Sequence, residues 1–141
     1  MNSGNRYDTG ETGEPQTVLV VDDDAMVRSF EAELLSTQGY KVLQAESAAE
    51  ALRLAGTETI HLLLTDFLMP DLDGLELTRR FRCVQPETPV LMVSGSLGST
   101  DNRIENLARF ELLTKPFELD ELLHKVRTLI QAEASCPIRK T

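Results

Sequence analysis

An α/β architecture, a doubly wound parallel sheet with helices on both faces, follows from two features of the sequence. Short apolar runs alternate five times with segments of helical periodicity, the order of consecutive βα units. The runs, such as VLVV at Val18–Val21, are near-continuous rather than alternating, as strands covered on both faces are.

The elements follow in order. Val18–Val21 is the first strand, and the helix predicted over Ala25–Gln38 brings Val27, Phe30 and Leu34 to one side, with Gly39 at the C-terminal cap position. Lys41–Gln44 is the second strand. Ser47–Ala55 opens with the capping box Ser47-Ala-Ala-Glu50 and turns Ala51, Leu52 and Ala55 inward. His61–Thr65 is the third strand, after which Asp73 can cap a helix bearing Leu77, Phe81 and Val84. Pro89–Val93 and Phe110–Leu113 are the fourth and fifth strands, with a short polar helix expected between them over Thr100–Ala108. The last helix, Glu118 to about Glu133, lines up Leu119, Leu122, Leu123, Val126 and Ile130, and its acidic first turn suits the positive end of the helix dipole. Residues 1–16 and 134–141 read as polar tails, which leaves one domain over 17–133.

Composition narrows the function. A net charge of -9 opposes non-specific nucleic-acid binding and docking on an anionic membrane, both of which need a basic face. Cys83 and Cys136 form no CxxC pair, and the N-terminal MNSGNRYDTGETGEP has no secretory apolar region. A cytoplasmic protein with reduced thiols is expected.

In open parallel sheets the ligand site lies beyond the carboxyl ends of the strands. The first strand runs into Asp22, Asp23 and Asp24, and the third into Asp66, within TDFLMPDLDG. Ser94 follows the fourth strand in VSGSLGS, and Lys115 follows the fifth in LLTKPF. Two carboxylates 4 Å apart repel by about 4 kcal/mol at an effective dielectric near 20, so the cluster calls for a counter-charge. Hard oxygen ligands without His or Cys suit Mg²⁺. A carboxylate can also act as a nucleophile toward phosphorus, and Mg²⁺, Lys115 and the Ser94 hydroxyl would then neutralise the phosphoryl oxygens.

Taken together, VVDDD, Asp66 in DFLMPDLDG, Ser94 in VSGS and Lys115 in TKPF resemble the receiver domain of two-component response regulators, over about Thr17–Glu133. The resemblance implies a flavodoxin-like (βα)5 fold with strand order 2-1-3-4-5. It implies that Asp66 accepts phosphate from a histidine kinase or histidine phosphotransfer protein with Mg²⁺ as cofactor. Asp23 would ligate the ion directly, Asp22 largely through a bound water, and Asp66 and the backbone carbonyl of Leu68 would complete the protein ligands. Ser94 would bind a phosphoryl oxygen, Lys115 would pair with the acyl phosphate, and Lys115-Pro116 is a candidate cis bond.

The chain departs from the family pattern at two places. Leu112 stands where an aromatic is usual, and Gly95 where Ala is common, so a mobile SGSLGS loop and an output by loop reordering are expected. Three other functions fit less well. A phosphatase of the haloacid-dehalogenase type needs a second Asp where Leu68 stands, and a flavodoxin-type carrier needs a Gly-rich loop where DDD stands. A phosphorylation-independent adaptor has no need of the complete acidic set with Lys115. The expectation is a switch rather than an enzyme acting on separate substrates. It would be read by a downstream protein, without direct contact to nucleic acid or membrane, as a monomer or a phosphorylation-linked dimer. Asp24 reads as a solvated neighbour of the cluster, Asp71 and Asp73 as turn and cap residues. Met26, Met69 and Met92 read as core filler, Cys83 as packing, and His61 and His124 as structural or exposed.

Overall fold

The computed structural model describes residues 15–95 and 107–135. Along the chain run β1 (Thr17–Val21), α1 (Ala25–Thr37), β2 (Lys41–Ala45), α2 (Ala48–Ala55) and β3 (Leu62–Asp66). They are followed by α3 (Gly74–Val84), β4 (Val90–Ser94), β5 (Phe110–Thr114) and α4 (Leu119–Ser135). The helix expected over Thr100–Ala108 falls outside the described residues except for Leu107 and Ala108, which are not helical. Most of the SGSLGS loop, residues 96–99, and nearly all of both expected tails fall outside them too.

The five strands form one parallel sheet in the order β2-β1-β3-β4-β5. Strand alternation sends successive side chains to opposite faces and so builds two cores. Val18, Val20, Leu62, Leu64, Leu91 and Val93 pack with Leu35 of α1 and with Leu122, Val126 and Ile130 of α4. Leu19, Val21, Leu63 and Val90 pack on the other face with Ala48, Ala51 and Ala55 of α2 and Leu77 and Phe81 of α3. Each fully buried Leu or Phe contributes roughly 1.5–3 kcal/mol, so both layers hold the sheet.

Several inward residues differ from expectation. In α1 the buried positions are Glu31, Ala32 and Leu35, whereas Phe30 is 52% exposed. Arg28 helps to set this rotation, its guanidinium donating to the Asp22 carbonyl (2.8 Å) and to Gln44 Oε1 (3.3 Å). Val84, Leu119 and Met26 are also exposed. They lie at or next to the ends of α3, α4 and α1 respectively, where a helix has less of the sheet beneath it. Cys83 is exposed rather than packed, and α4 buries Leu129 in addition to the expected stripe. His61 Nδ1 accepts from Thr17 N (2.9 Å), a structural role, and burial lowers its pKa.

Candidate functional site

Adjacent strands carry the acidic residues to one rim. β1 and β3 are neighbours with Val21 opposite Thr65, so the residues that follow, Asp22 and Asp66, come level. Asp22 N donates to Ala45 O (3.2 Å), which extends the edge of the sheet by one residue, and its carboxylate accepts from Asp24 N (2.9 Å). Asp24 Oδ1 accepts in turn from Met26 N (3.0 Å) and Val27 N (3.3 Å). Asp24 is therefore the N-cap of α1, not a loose member of the cluster. The three consecutive carboxylates divide the work: Asp22 is 5% exposed, Asp23 faces solvent and Asp24 caps a helix.

One oxygen each from Asp22, Asp23 and Asp66 lies within 4.8 Å of the others. Lys115 Nζ stands 3.6 Å from Asp66 Oδ1. The pairing of Ser94 with Thr114 and the bond from Lys115 N to Ser94 O (2.9 Å) bring that lysine to the rim, just before the cis Lys115-Pro116 bond. Ser94 itself is buried at the end of β4, the strand next to β3.

Leu68, with its side chain exposed, begins the loop that leads to α3. That loop is closed by Phe67 N to Val93 O (2.9 Å) and Gly74 N to Phe67 O (2.7 Å). A Cβ on Gly74 would lie 2.7 Å from the Asp66 carbonyl oxygen, so only glycine permits this closure. Asp73 caps α3 through Glu76 N (2.8 Å), as expected.

The charges at the rim are not balanced. Burial raises the pKa of Asp22, the Asp24 N–H resists, and the Asp66 carboxylate raises it further. Burial likewise raises Asp66, with the Lys115 ammonium and the Phe67 N–H opposing and Asp23 adding to the rise. Among the described residues, the Lys115 ammonium alone does not offset three carboxylates. A hard divalent cation fits this all-oxygen donor set and would supply the missing charge.

Glu31 was not anticipated as a neighbour of the site. It is 6% exposed, and burial, followed by repulsion from Asp22, raises its carboxyl to about 7. The available signal was its place four residues after Val27 and four before Leu35, inside an otherwise apolar stripe. Glu31, Met26, Val27, Phe30, Phe117 and Leu122 line a groove of about 360 Å³ beside the rim.

The fold and the rim define a flavodoxin-like α/β domain with an acidic cluster, chemically suited to a cation, where the strand order reverses between β1 and β3. The chain belongs to the response regulator receiver domain family, whose model matches residues 18–127. It is a receiver domain of the two-component response regulators. It is 37% identical over 119 residues to response regulator MprA of Mycolicibacterium vanbaalenii, covering 83% of this chain and 51% of that protein. The chain thus spans about half the length of the curated relatives it matches. Among solved structures it resembles a CheY-like receiver domain protein from Methanospirillum hungatei, with TM-score 0.78 and 28% identity over 86% of this chain and 98% of that one. It also resembles response regulator TrrA of Thermotoga maritima, solved in complex with Mg²⁺ and BeF, with TM-score 0.73 and 30% identity over 81% and 98%. Among the described residues no helix is long and apolar enough to cross a membrane.

Proposed function

We propose that Asp66 is the phosphoacceptor of a two-component phosphorelay, taking phosphate from a phosphohistidine of a histidine kinase or phosphotransfer protein in an Mg²⁺-dependent reaction. The observation that carries this reading is the company Asp66 keeps: Lys115 Nζ at 3.6 Å and oxygens of Asp22 and Asp23 within 4.8 Å. An Asp66 oxygen forms its bond to phosphorus while the P–N bond to the donor imidazole breaks. The imidazole leaves with the bonding pair and takes up a proton. Lys115 pairs with one phosphoryl oxygen and the Ser94 hydroxyl donates to another. Asp22, Asp23, Asp66 and the Leu68 carbonyl would hold Mg²⁺, which when bound neutralises charge on the carboxylates and on the phosphoryl oxygens.

Residues 17–133 act in this reading as a phosphorylation switch in the cytoplasm. Its chemistry is confined to gaining and losing its own phosphoryl group. Phosphorylation alters the surface presented to a downstream protein, as a monomer or through a linked dimer, and the negative net charge disfavours direct contact with nucleic acid. Leu112 in place of an aromatic leaves the Ser94 side of the rim to transmit the change.

The test is intact mass after incubation with Mg²⁺ and a small acyl-phosphate donor, for wild type and Asp66→Asn. Gain of one phosphoryl group by the wild type alone, abolished by a chelator, is the expected result. No gain by the wild type from either the small donor or a phosphorylated histidine protein would favour a phosphorylation-independent adaptor. Gain by both proteins would move the acceptor to another aspartate.

A further inference from the structure

Asp71 was expected to be a turn residue, and its carboxylate does more. It reaches across to α2, Oδ1 accepting from Ala48 N (3.2 Å) and Oδ2 from Ala49 N (3.0 Å), while Oδ1 also accepts from Leu72 N (3.1 Å). The start of α2 is then fully served, because Ser47 Oγ accepts from Glu50 N (3.1 Å) and Ser47 O from Ala51 N (3.1 Å). A helix that already has its own N-cap takes two further acceptors from a distant loop. Burial pushes the Asp71 carboxyl up, and the N–H groups of Ala49, Ala48, Asp71 and Leu72 together more than offset this, which favours its charged, accepting form.

That loop is the one that follows Asp66. Leu68 stands between two anchors: Phe67, bonded to Val93 O and to Gly74 N, and Asp71, bonded to α2. We propose that Asp71 is a positioning residue for the cation: by clasping the start of α2 it fixes the loop between β3 and α3, and with it the backbone carbonyl of Leu68 at the rim. The inference rests on the reading of the rim as an Mg²⁺ site and adds to it a residue that touches neither the ion nor the phosphoryl group. It also ties α2, on the opposite sheet face from α1 and α4, to the geometry of the site.

Capping alone and positioning can be separated by comparing Asp71→Ala with Ser47→Ala. Both remove an acceptor from the start of α2, but only the first releases the loop. Mg²⁺ affinity is read by titration calorimetry on the unphosphorylated protein, thermal unfolding is recorded with a chelator present, and phosphoryl gain is followed against Mg²⁺ concentration. Both variants are expected to unfold at somewhat lower temperature. Asp71→Ala alone is expected to weaken Mg²⁺ binding by about tenfold, as loss of groups that orient metal ligands does. Its half-saturating Mg²⁺ for phosphoryl gain should rise in step, with little change in the rate at saturation. Asp71→Asn, which keeps one carbonyl acceptor, should fall between. Equal Mg²⁺ affinity in Asp71→Ala and wild type, or equal weakening in Ser47→Ala, would overturn the proposal alone. Absence of Mg²⁺ binding by the wild type would overturn the reading of the rim and this inference with it.

Discussion

The Lys115 ammonium stands 3.6 Å from Asp66 Oδ1, carried there by the pairing of Ser94 with Thr114 at the ends of β4 and β5. The Asp66 carboxyl is raised by burial, and Lys115 is the largest influence opposing that rise. Lys115→Gln is therefore expected to raise Asp66 further and to slow phosphoryl gain at saturating Mg²⁺ by about 10²-fold, the usual loss on removing one charge-stabilising donor. The lysine is partly exposed, so unfolding should change little. Time-resolved intact mass checks this, and an unchanged rate would take Lys115 out of the chemistry.

Glu31 predicts how stability depends on pH in metal-free solution. Its carboxyl titrates near 4.5 in the unfolded chain and at about 7 in the fold, so the folded state holds the proton more tightly. The contribution of this group is therefore fully present below pH 4.5 and is lost as pH rises through about 7, by at most about 3 kcal/mol. The raised Asp22 and Asp66 act in the same direction from a lower starting point. Glu31→Gln should flatten the upper part of this slope and stabilise the protein at neutral pH. Urea unfolding between pH 4 and 8 with a chelator measures it, and parallel slopes for the two proteins would refute the assignment.

Most of this fold could be read from periodicity, because strands buried on both faces and helices with one apolar stripe leave distinct patterns. The rim could be read for a related reason: parallel topology forces the residues after β1, β3, β4 and β5 to one edge. What escaped was orientation. Helical spacing points Phe30 inward with Val27 and Leu34, yet α1 turns Phe30 to solvent and buries Glu31, Ala32 and Leu35. Asp24 and Asp71 show the same limit. A sequence displays an aspartate at a turn without displaying which backbone N–H groups it will meet, and here one caps its own helix and the other caps α2 from a distant loop.

Gly74 should tolerate no side chain. A Cβ there would lie 2.7 Å from the Asp66 carbonyl oxygen and 3.1 Å from both Phe67 Cα and Met92 Cε. Two of these three are backbone atoms of the Asp66–Phe67 segment, so relief has to come from moving Asp66 or the start of α3. Gly74→Ala is expected to cost about 2–3 kcal/mol in chemical unfolding, as overpacking does. Phosphoryl gain should fall even at temperatures where the variant is fully folded. Wild-type stability with wild-type phosphoryl gain would mean that the loop gives way more easily than this contact suggests.

The groove beside the rim predicts a separation between two donors. Met26 is 81% exposed and Phe30 52%, at the end of α1 nearest the acidic cluster, and with Phe117 and Leu122 they line the groove beside it. A small acyl phosphate needs only the rim, whereas a phosphohistidine on a protein can reach Asp66 only if that protein covers the surface around it. Apolar side chains left in water on that surface gain by being covered, and a few such residues commonly dominate an interface. Phe30→Ser is therefore expected to leave phosphoryl gain from the small donor within twofold of wild type, while slowing transfer from a phosphorylated histidine protein by about tenfold or more. Folding should be unharmed, since Phe30 contributes little to the core. Equal slowing with both donors would place the effect in the rim itself, and no slowing with either would mean that the donor protein approaches from another side.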